Sequence, residues 1–178
     1  MIPTDADLIV RVLIDDDREA FGFLVRRHQS AVRNFLRHLT RHDAALADDL
    51  AQDTFLQAFK GLANFRGGAS FSTWLFGIAH NLHRNARRRH RDYVPLADAR
   101  EESVPATALT SDLKHDLASA MERLSSDERL ALHLGYDQGL SHGDIAALLD
   151  WPLGTVKTHL ARSKDKLRQL LAVWNPRT

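Results

Sequence analysis

Apolar residues recur along this chain at spacings of three and four, and this regularity restricts what the chain can fold into. Such spacing places side chains on one face of an α-helix, whereas a half-buried strand needs apolar and polar residues to alternate. No segment of the sequence shows that alternation convincingly. The sequence therefore predicts an all-α fold. The longest apolar face consists of Phe21, Leu24, Val25, His28, Val32, Phe35, Leu36 and Leu39.

Two further helices are predicted in the first half of the chain, over residues 44–59 and 72–89. Glycines at positions 61, 67 and 68 interrupt the chain between them. The second of these helices carries an apolar face that begins at Phe71 and Trp74. For the helix predicted over residues 44–59, the inward positions are Leu46, Leu50, Phe55, Leu56 and Phe59.

Residues 93–112, YVPLADAREESVPATALTSD, lose the helical periodicity. Pro95 and Pro105 interrupt this segment, and small and acidic residues fill most of the remainder. These features predict a flexible linker. The chain is therefore predicted to form two small helical domains, residues 1–92 and 113–174.

The second domain carries capping signals for three helices. Ser125 with Glu128 matches a capping box, and Ser141 with Asp144 begins the next, shorter helix. A tight turn separates that helix from the last one, whose first turn can accept Pro152. A short helix, a tight turn and a second helix form a helix-turn-helix.

The last helix has the residues of a DNA-reading surface. Small polar groups and one arginine can reach base edges, while flanking cations contact phosphates. An ordinary hairpin with a solvated face is the alternative, but the capping signals and flanking cations favour DNA binding. The outward face carries Thr155, Thr158, Ala161, Arg162 and Asp165, flanked by Lys157, His159, Lys164 and Lys166.

Charge is distributed very unevenly although the net charge is only +1. Residues 43–59 contain four aspartates and neither lysine nor arginine. From Arg66 to Arg91 there are six arginines and no acidic residue. This asymmetry predicts partners of different kinds on different faces.

The basic segment combines arginines with amides and aromatic rings. Asparagines beside arginines suit hydrogen bonding to base edges, and Phe65, Phe71 and Trp74 are candidates to stack on unpaired bases. We therefore expect this segment to hold opened DNA. The alternative is that the aromatic residues are core and the arginines a solvated helix end. The predicted polar strip consists of Asn81, Arg84, Asn85 and Arg88.

Composition limits the remaining possibilities. The absence of cysteine excludes disulfides and thiol chemistry, and no apolar run approaches the ~18 residues of a membrane span, which suits a cytoplasmic protein. The dipeptide His42-Asp43 and the spacing of His38 and His42 are weak metal signals without a second cluster. We expect no enzymatic activity, no cofactor and no small-molecule substrate.

Three stretches of the chain resemble, in order, conserved regions of the extracytoplasmic-function (ECF) sigma factors. The stretch ADDLAQDTFLQAF at 47–59 is similar to region 2.2, and FSTWLFGIAHN at 71–81 is similar to regions 2.3 and 2.4. The stretch from Leu140 to Leu171 is similar to region 4.2. The resemblance covers nearly the whole chain.

The resemblance implies a transcription initiation subunit with three contact surfaces. An acidic helix would dock on the β′ clamp helices of core RNA polymerase, which also contributes its β subunit as a partner. The helix with the polar strip, together with Trp74, would capture the −10 promoter element, and the helix-turn-helix would read the −35 element. An anti-sigma factor is the expected regulator. The implied residues are Asp48, Asp49, Gln52 and Asp53 for polymerase, and Thr155, Lys157, Thr158, Ala161 and Arg162 for the −35 element.

A transcriptional regulator of the LuxR type is the main alternative, because TVKTHL resembles its helix-turn-helix. That interpretation explains only residues 113–171 and leaves the first domain without a role. Such a regulator should bind duplex promoter DNA tightly without polymerase, whereas a sigma factor should bind weakly alone.

Overall fold

The computed structural model describes residues 2–93 and 112–172. Within these ranges the chain is helical and contains no strand, which confirms the all-α prediction. It divides into two compact units, Met1–Ala97 and Asp98–Thr178. The predicted linker lies almost entirely outside the described residues, so the predicted domain limits remain predictions. The helices are α1 (Asp5–Asp15), α2 (Arg18–Leu39), α3 (Ala44–Gly61), α4 (Phe71–Tyr93), α5 (Asp112–Glu122), α6 (Ser126–Leu132), α7 (His142–Leu149) and α8 (Leu153–Leu170).

Helix α1 was not predicted from the sequence, although a capping box marks its start. The Asp7 amide donates to Thr4 Oγ1 (3.2 Å), and the Thr4 amide donates to Asp7 Oδ2 (2.8 Å). Asp5 joins α1 to α2 through an ion pair with Arg27 and a 2.8 Å contact with His28 Nε2. The buried residues of α1 are Leu8, Ile9 and Val12.

Helix α2 is the central helix of the first unit, in contact with α1, α3 and α4. Its predicted apolar face is confirmed, since Leu24, Phe35 and Leu36 are fully buried. Phe35 packs against Phe76 of α4 with ring centroids 4.9 Å apart. Burial of such side chains is the main stabilising contribution to a helical unit of this size.

Helix α3 packs mainly through small side chains, and only some of its large ones are buried. Leu50 and Phe55 are buried as predicted, but Leu46, Leu56 and Phe59 are 38%, 51% and 39% exposed, so the prediction that they point inward is wrong. Small residues on the inner face let α3 approach its neighbours closely, and the large residues then lie beside that contact. The small buried residues are Ala47, Ala51, Thr54 and Ala58.

Helix α4 begins one residue before the predicted start and extends beyond the predicted end at 89. Ser70 caps its first turn, because the Thr73 amide donates to Ser70 Oγ (3.1 Å). Leu75, Phe76 and Ala79 are fully buried, which fixes the rotation of α4 about its axis.

In the second unit both predicted capping boxes are present, at Ser125 with Glu128 and at Ser141 with Asp144. Helix α6 continues into a π-helical turn over His133–Asp137, which the sequence did not predict. Gly139 then ends the helical run with a φ of +68°, in a left-handed conformation that glycine adopts without strain.

Helices α7 and α8 form the predicted helix-turn-helix. Asp150 ends α7 in a left-handed conformation with a φ of +56°, and the Trp151 amide donates to the Ala146 carbonyl (3.0 Å). Pro152 precedes α8 rather than lying in its first turn, a shift of one residue from the prediction. Ile145 and Val156 are fully buried, so the two helices share one apolar contact.

An ion pair joins α6 to α8. Lys166 Nζ lies 2.7 Å and 3.0 Å from the two carboxylate oxygens of Glu128. Burial alone would raise the pKa of Glu128, but the hydrogen bonds from Lys166 and Ser125 outweigh it and lower that pKa below its ordinary value of 4.5. The ionised carboxylate therefore stabilises the second unit.

Replacing Glu128 by Gln should lower the free energy of unfolding at neutral pH by about 1 kcal/mol, because Gln keeps the cap but loses the charge. Since the folded-state pKa is lowered, this contribution is complete above pH 4.5 and is lost as the pH falls through the folded value. Urea unfolding of both proteins between pH 7 and pH 3 checks this. The control Asp165→Asn removes an exposed pair with Arg168 and should cost less than about 0.5 kcal/mol.

Candidate functional site

The first unit has an open apolar groove between α2 and α3, with a volume of about 560 Å³. Phe21 and Phe59 meet across it edge to face, with ring centroids 4.9 Å apart. Exposed apolar surface of this kind marks an interaction site more often than a free surface. We call this feature the apolar groove; its apolar lining consists of Phe21, Val25, Ala51, Phe55, Leu56 and Phe59.

The rim of the apolar groove carries charges of both signs. Asp48, Asp49 and Gln52 lie along the α3 side, while Arg18 and Arg33 lie along the α2 side. Arg33 Nε is 3.4 Å from Asp48 Oδ1, and both side chains are about half exposed. Such an exposed pair contributes little to stability.

Three of the four residues predicted to contact polymerase therefore line one groove. The fourth, Asp53, is exposed but does not line it. The sequence reasoning missed the apolar part of this site, because it assigned Leu56 and Phe59 to the core. The sequence did contain a signal for this. Small residues such as Ala51 and Ala58 already form one complete packing face of α3, so Leu56 and Phe59 are not needed for that face.

An aromatic cluster lies where the glycine-containing loop meets α4. The Phe65 ring is 5.6 Å from Phe71 and 5.3 Å from Trp74, measured between centroids. Phe71 is only 3% exposed and also contacts His28, so of the two alternatives for this residue the structure supports the core. Phe65 and Trp74 are half-buried at the edge of the cluster.

The predicted polar strip of α4 lies on one exposed face. Leu75, Ala79 and Leu82 are buried on the other side of the helix, so the strip points away from the core. The neighbouring Arg87 and Arg89 are also exposed. The strip itself consists of Asn81, Arg84, Asn85 and Arg88, all exposed.

His83 lies between this strip and the core and is 6% exposed. Burial lowers its pKa from 6.5 to about 4, and the nearby positive charge of Arg87 and the ring of His80 act in the same direction. A hydrogen bond with the Leu39 backbone acts in the opposite direction but is weaker. His83 is therefore neutral at physiological pH and joins α4 to the end of α2.

The predicted reading residues of α8 occupy its outer face. Lys157, Ala161 and Arg162 are exposed, and Thr155 is half-buried. The Thr158 hydroxyl donates to the Gly154 carbonyl (2.8 Å), which leaves its oxygen lone pairs and methyl group facing outward. These side chains form one continuous surface next to the turn of the helix-turn-helix.

Among the described residues, no group of three or more His, Asp or Glu side chains is arranged to hold a metal ion. No helix in the described part of the chain is long and apolar enough to cross a membrane.

Comparison with known families gives two matches that follow the two units. Residues 24–93 match Sigma-70 region 2, and residues 114–167 match Sigma-70 region 4. The first match contains the apolar groove and the polar strip, and the second contains the helix-turn-helix.

Relatives match over nearly the full length. The RNA polymerase sigma-H factor of Pseudomonas aeruginosa is 34% identical, with 94% of this chain and 93% of the relative covered. The ECF RNA polymerase sigma-E factor of Haemophilus influenzae is 32% identical, with 92% and 93% covered.

Solved structures show the same fold. The sigma factor RpoE of Bartonella quintana, in complex with the anti-sigma factor NepR, gives a TM-score of 0.61 at 30% identity, with 86% of this chain and 97% of that chain covered. CnrH, in complex with the cytosolic domain of CnrY, gives 0.54 at 25% identity, with 95% of each chain covered.

The chain therefore belongs to the ECF class of RNA polymerase sigma factors. It functions as a promoter-specificity subunit in transcription initiation. The LuxR-type alternative is not favoured, because it leaves the region 2 match without an explanation.

The buried His83 makes the stability of the first unit depend on pH. The unfolded chain binds a proton near pH 6.5 that the folded chain does not bind until about pH 4, so stability falls as the pH is lowered through this interval. The full effect is roughly 3 kcal/mol. His83→Gln should flatten this part of the pH profile in urea unfolding followed by circular dichroism. The control His142→Gln changes an exposed histidine and should leave the profile unchanged; equal profiles for His83→Gln and the wild type would contradict the assignment.

Proposed function

We propose that the apolar groove and its acidic rim form the docking site for the β′ clamp helices of core RNA polymerase. The single observation that carries this proposal is the exposure of Leu56 and Phe59 beside Asp48, Asp49 and Gln52. Apolar anchors surrounded by charges are typical of protein interfaces. The aspartates attract a basic partner surface, and the apolar residues supply affinity when they become buried.

Asp53 extends the acidic surface beyond the groove, so we assign it a peripheral role in polymerase binding. An exposed charge at the edge of an interface mainly increases the association rate and contributes little to final affinity. We further propose that the second unit contacts the β subunit while its reading surface remains available to DNA.

We propose that α4 captures the −10 element after the DNA strands separate. Asn81 and Asn85 can hydrogen-bond to base edges, and Arg84 and Arg88 can contact the phosphates of the same strand. Trp74, at the edge of the aromatic cluster, offers a ring against which an unpaired base can pack. Preferential binding of the open strand shifts the equilibrium of the promoter towards melting.

We propose that α8 reads the −35 element in the major groove. Thr155, Thr158 and Ala161 present small groups that let the helix approach the bases closely, and Arg162 can form two hydrogen bonds with a guanine. Lys157 lies beside these residues, where it suits contact with a phosphate.

Regulation by an anti-sigma factor is also proposed, because the related RpoE structure is a complex of a sigma factor with the anti-sigma factor NepR. We assign the protein to the cytoplasm, where its polymerase is found, and assign it no catalytic role. These assignments follow from the family and from no individual residue.

Replacing Asp49 by Lys should weaken the complex with core polymerase by roughly tenfold or more, because a repulsive charge replaces an attractive one at the groove. Gel filtration at low and moderate salt, with quantification of the co-eluting chain, measures this. Asp15→Lys makes the same change at an exposed residue of α1 that does not line the groove, and should co-elute like the wild type. Equal co-elution of both variants would refute the docking site.

Replacing both Asn81 and Asn85 by Ala should abolish most promoter opening and leave polymerase binding intact, because α4 and α3 carry separate surfaces. Permanganate reactivity of unpaired thymines measures opening, and co-elution measures assembly. Asn34→Ala, an exposed asparagine of α2, is the matched control and should open promoters normally. Normal opening by the double variant would remove these residues from the −10 site.

A further inference from the structure

His159 lies at the border between the reading face of α8 and its buried face. It is half-buried and follows Thr155 by one helical turn, while Arg162 lies one turn further on. Residues at such a border typically reach the DNA backbone rather than the bases. The position alone therefore suits a contact with a phosphate of the duplex that α8 reads.

The ring of His159 is held in place by Trp151. The two ring centroids are 5.2 Å apart and the planes are inclined by 47°. The backbone of Trp151 is itself fixed, because its amide donates to the Ala146 carbonyl and the preceding Asp150 ends α7. The turn of the helix-turn-helix thus limits the rotation of a side chain two turns into the recognition helix.

One ring nitrogen of His159 is enclosed by the protein. Nδ1 is buried and has no hydrogen-bond partner among the described residues, so the exposed part of this half-buried residue lies elsewhere. A proton on Nδ1, which the imidazolium carries as well, would be a buried donor without an acceptor, which is unfavourable. The favoured neutral tautomer therefore carries its proton on Nε2.

We propose that His159, positioned by Trp151, acts as an uncharged N–H donor to a backbone phosphate of the −35 duplex. This inference rests on the proposed role of α8 in reading that element. The contribution of His159 to DNA affinity comes from a hydrogen bond rather than from a charge, in contrast to the contributions of the neighbouring Lys157 and Arg162.

The distinction can be measured from the salt dependence of binding. A cation that neutralises one phosphate contributes about 0.9 to the slope of log affinity against log salt concentration, because it releases a counterion. An uncharged donor contributes to affinity without contributing to that slope. Removal of His159 should therefore weaken binding equally at all salt concentrations.

The experiment uses the full chain assembled with core polymerase and a short fluorescein-labelled duplex that the wild-type complex selects from a randomised pool. Affinity is measured by fluorescence anisotropy between roughly 50 and 200 mM salt. His159→Gln keeps an N–H donor near the position of Nε2, whereas His159→Asn places its amide near Nδ1 and cannot reach as far. Lys157→Gln is the control for a charged contact with a phosphate.

His159→Asn should weaken binding by roughly three- to tenfold with an unchanged slope, as expected for one hydrogen bond. His159→Gln should stay within about twofold of the wild type. Trp151→Ala should reproduce the His159→Asn loss, and Trp151→Phe should largely avoid it. Lys157→Gln should reduce the magnitude of the slope by about 0.9.

Three results would overturn the proposal: wild-type affinity for His159→Asn, a slope reduced by about 0.9 for that variant, or equal losses for Asn and Gln. The second would identify a charged contact, and the third would show that only the ring matters. Melting temperatures of all variants exclude unfolding as the cause. If the wild-type complex selects no duplex, the proposed −35 role of α8 fails instead, and this outcome is separate from the other three.

Discussion

The close approach of α3 to its neighbours is the constraint on which the first unit depends. Ala47, Ala51 and Ala58 bring the helix backbones near one another, and Thr54 can be fully buried among them because its hydroxyl donates to the Leu50 carbonyl (2.7 Å). With that face occupied largely by small residues, Leu46, Leu56 and Phe59 lie at its border. The same packing that forms the core therefore creates the apolar groove.

The rotation of α4 follows from the same core. Leu75, Phe76 and Ala79 are buried against the other helices, so the arginines and asparagines two to nine residues after Ala79 lie on the opposite side. The surface proposed for polymerase and the surface proposed for opened DNA consequently belong to different helices. Both can be occupied at the same time, as an initiation subunit requires. In the second unit, the Glu128–Lys166 ion pair helps to fix the position of α8, because it ties α8 to α6.

Sequence periodicity was sufficient to predict the all-α fold, and short residue motifs added the helix-turn-helix and both capping boxes of the second unit. Periodicity failed for Leu56 and Phe59, because hydrophobicity alone does not reveal that a helix packs through its alanines. It left Phe71 undecided, since an aromatic residue beside a loop can serve the core or a ligand. Helix α1 was overlooked, although Thr4 and Asp7 carry a capping signal. The tautomer of His159 depends on the burial of one atom, which no sequence pattern encodes.

The exposed apolar groove also has a consequence for the protein when it is not bound to anything. Large apolar side chains on a surface promote self-association, so a growing fraction of the isolated chain should associate as its concentration rises. Any partner that covers Leu56 and Phe59 removes this liability while it remains bound. The amount of this protein that a cell can keep in solution is therefore linked to the supply of its binding partners, independently of any effect on promoters.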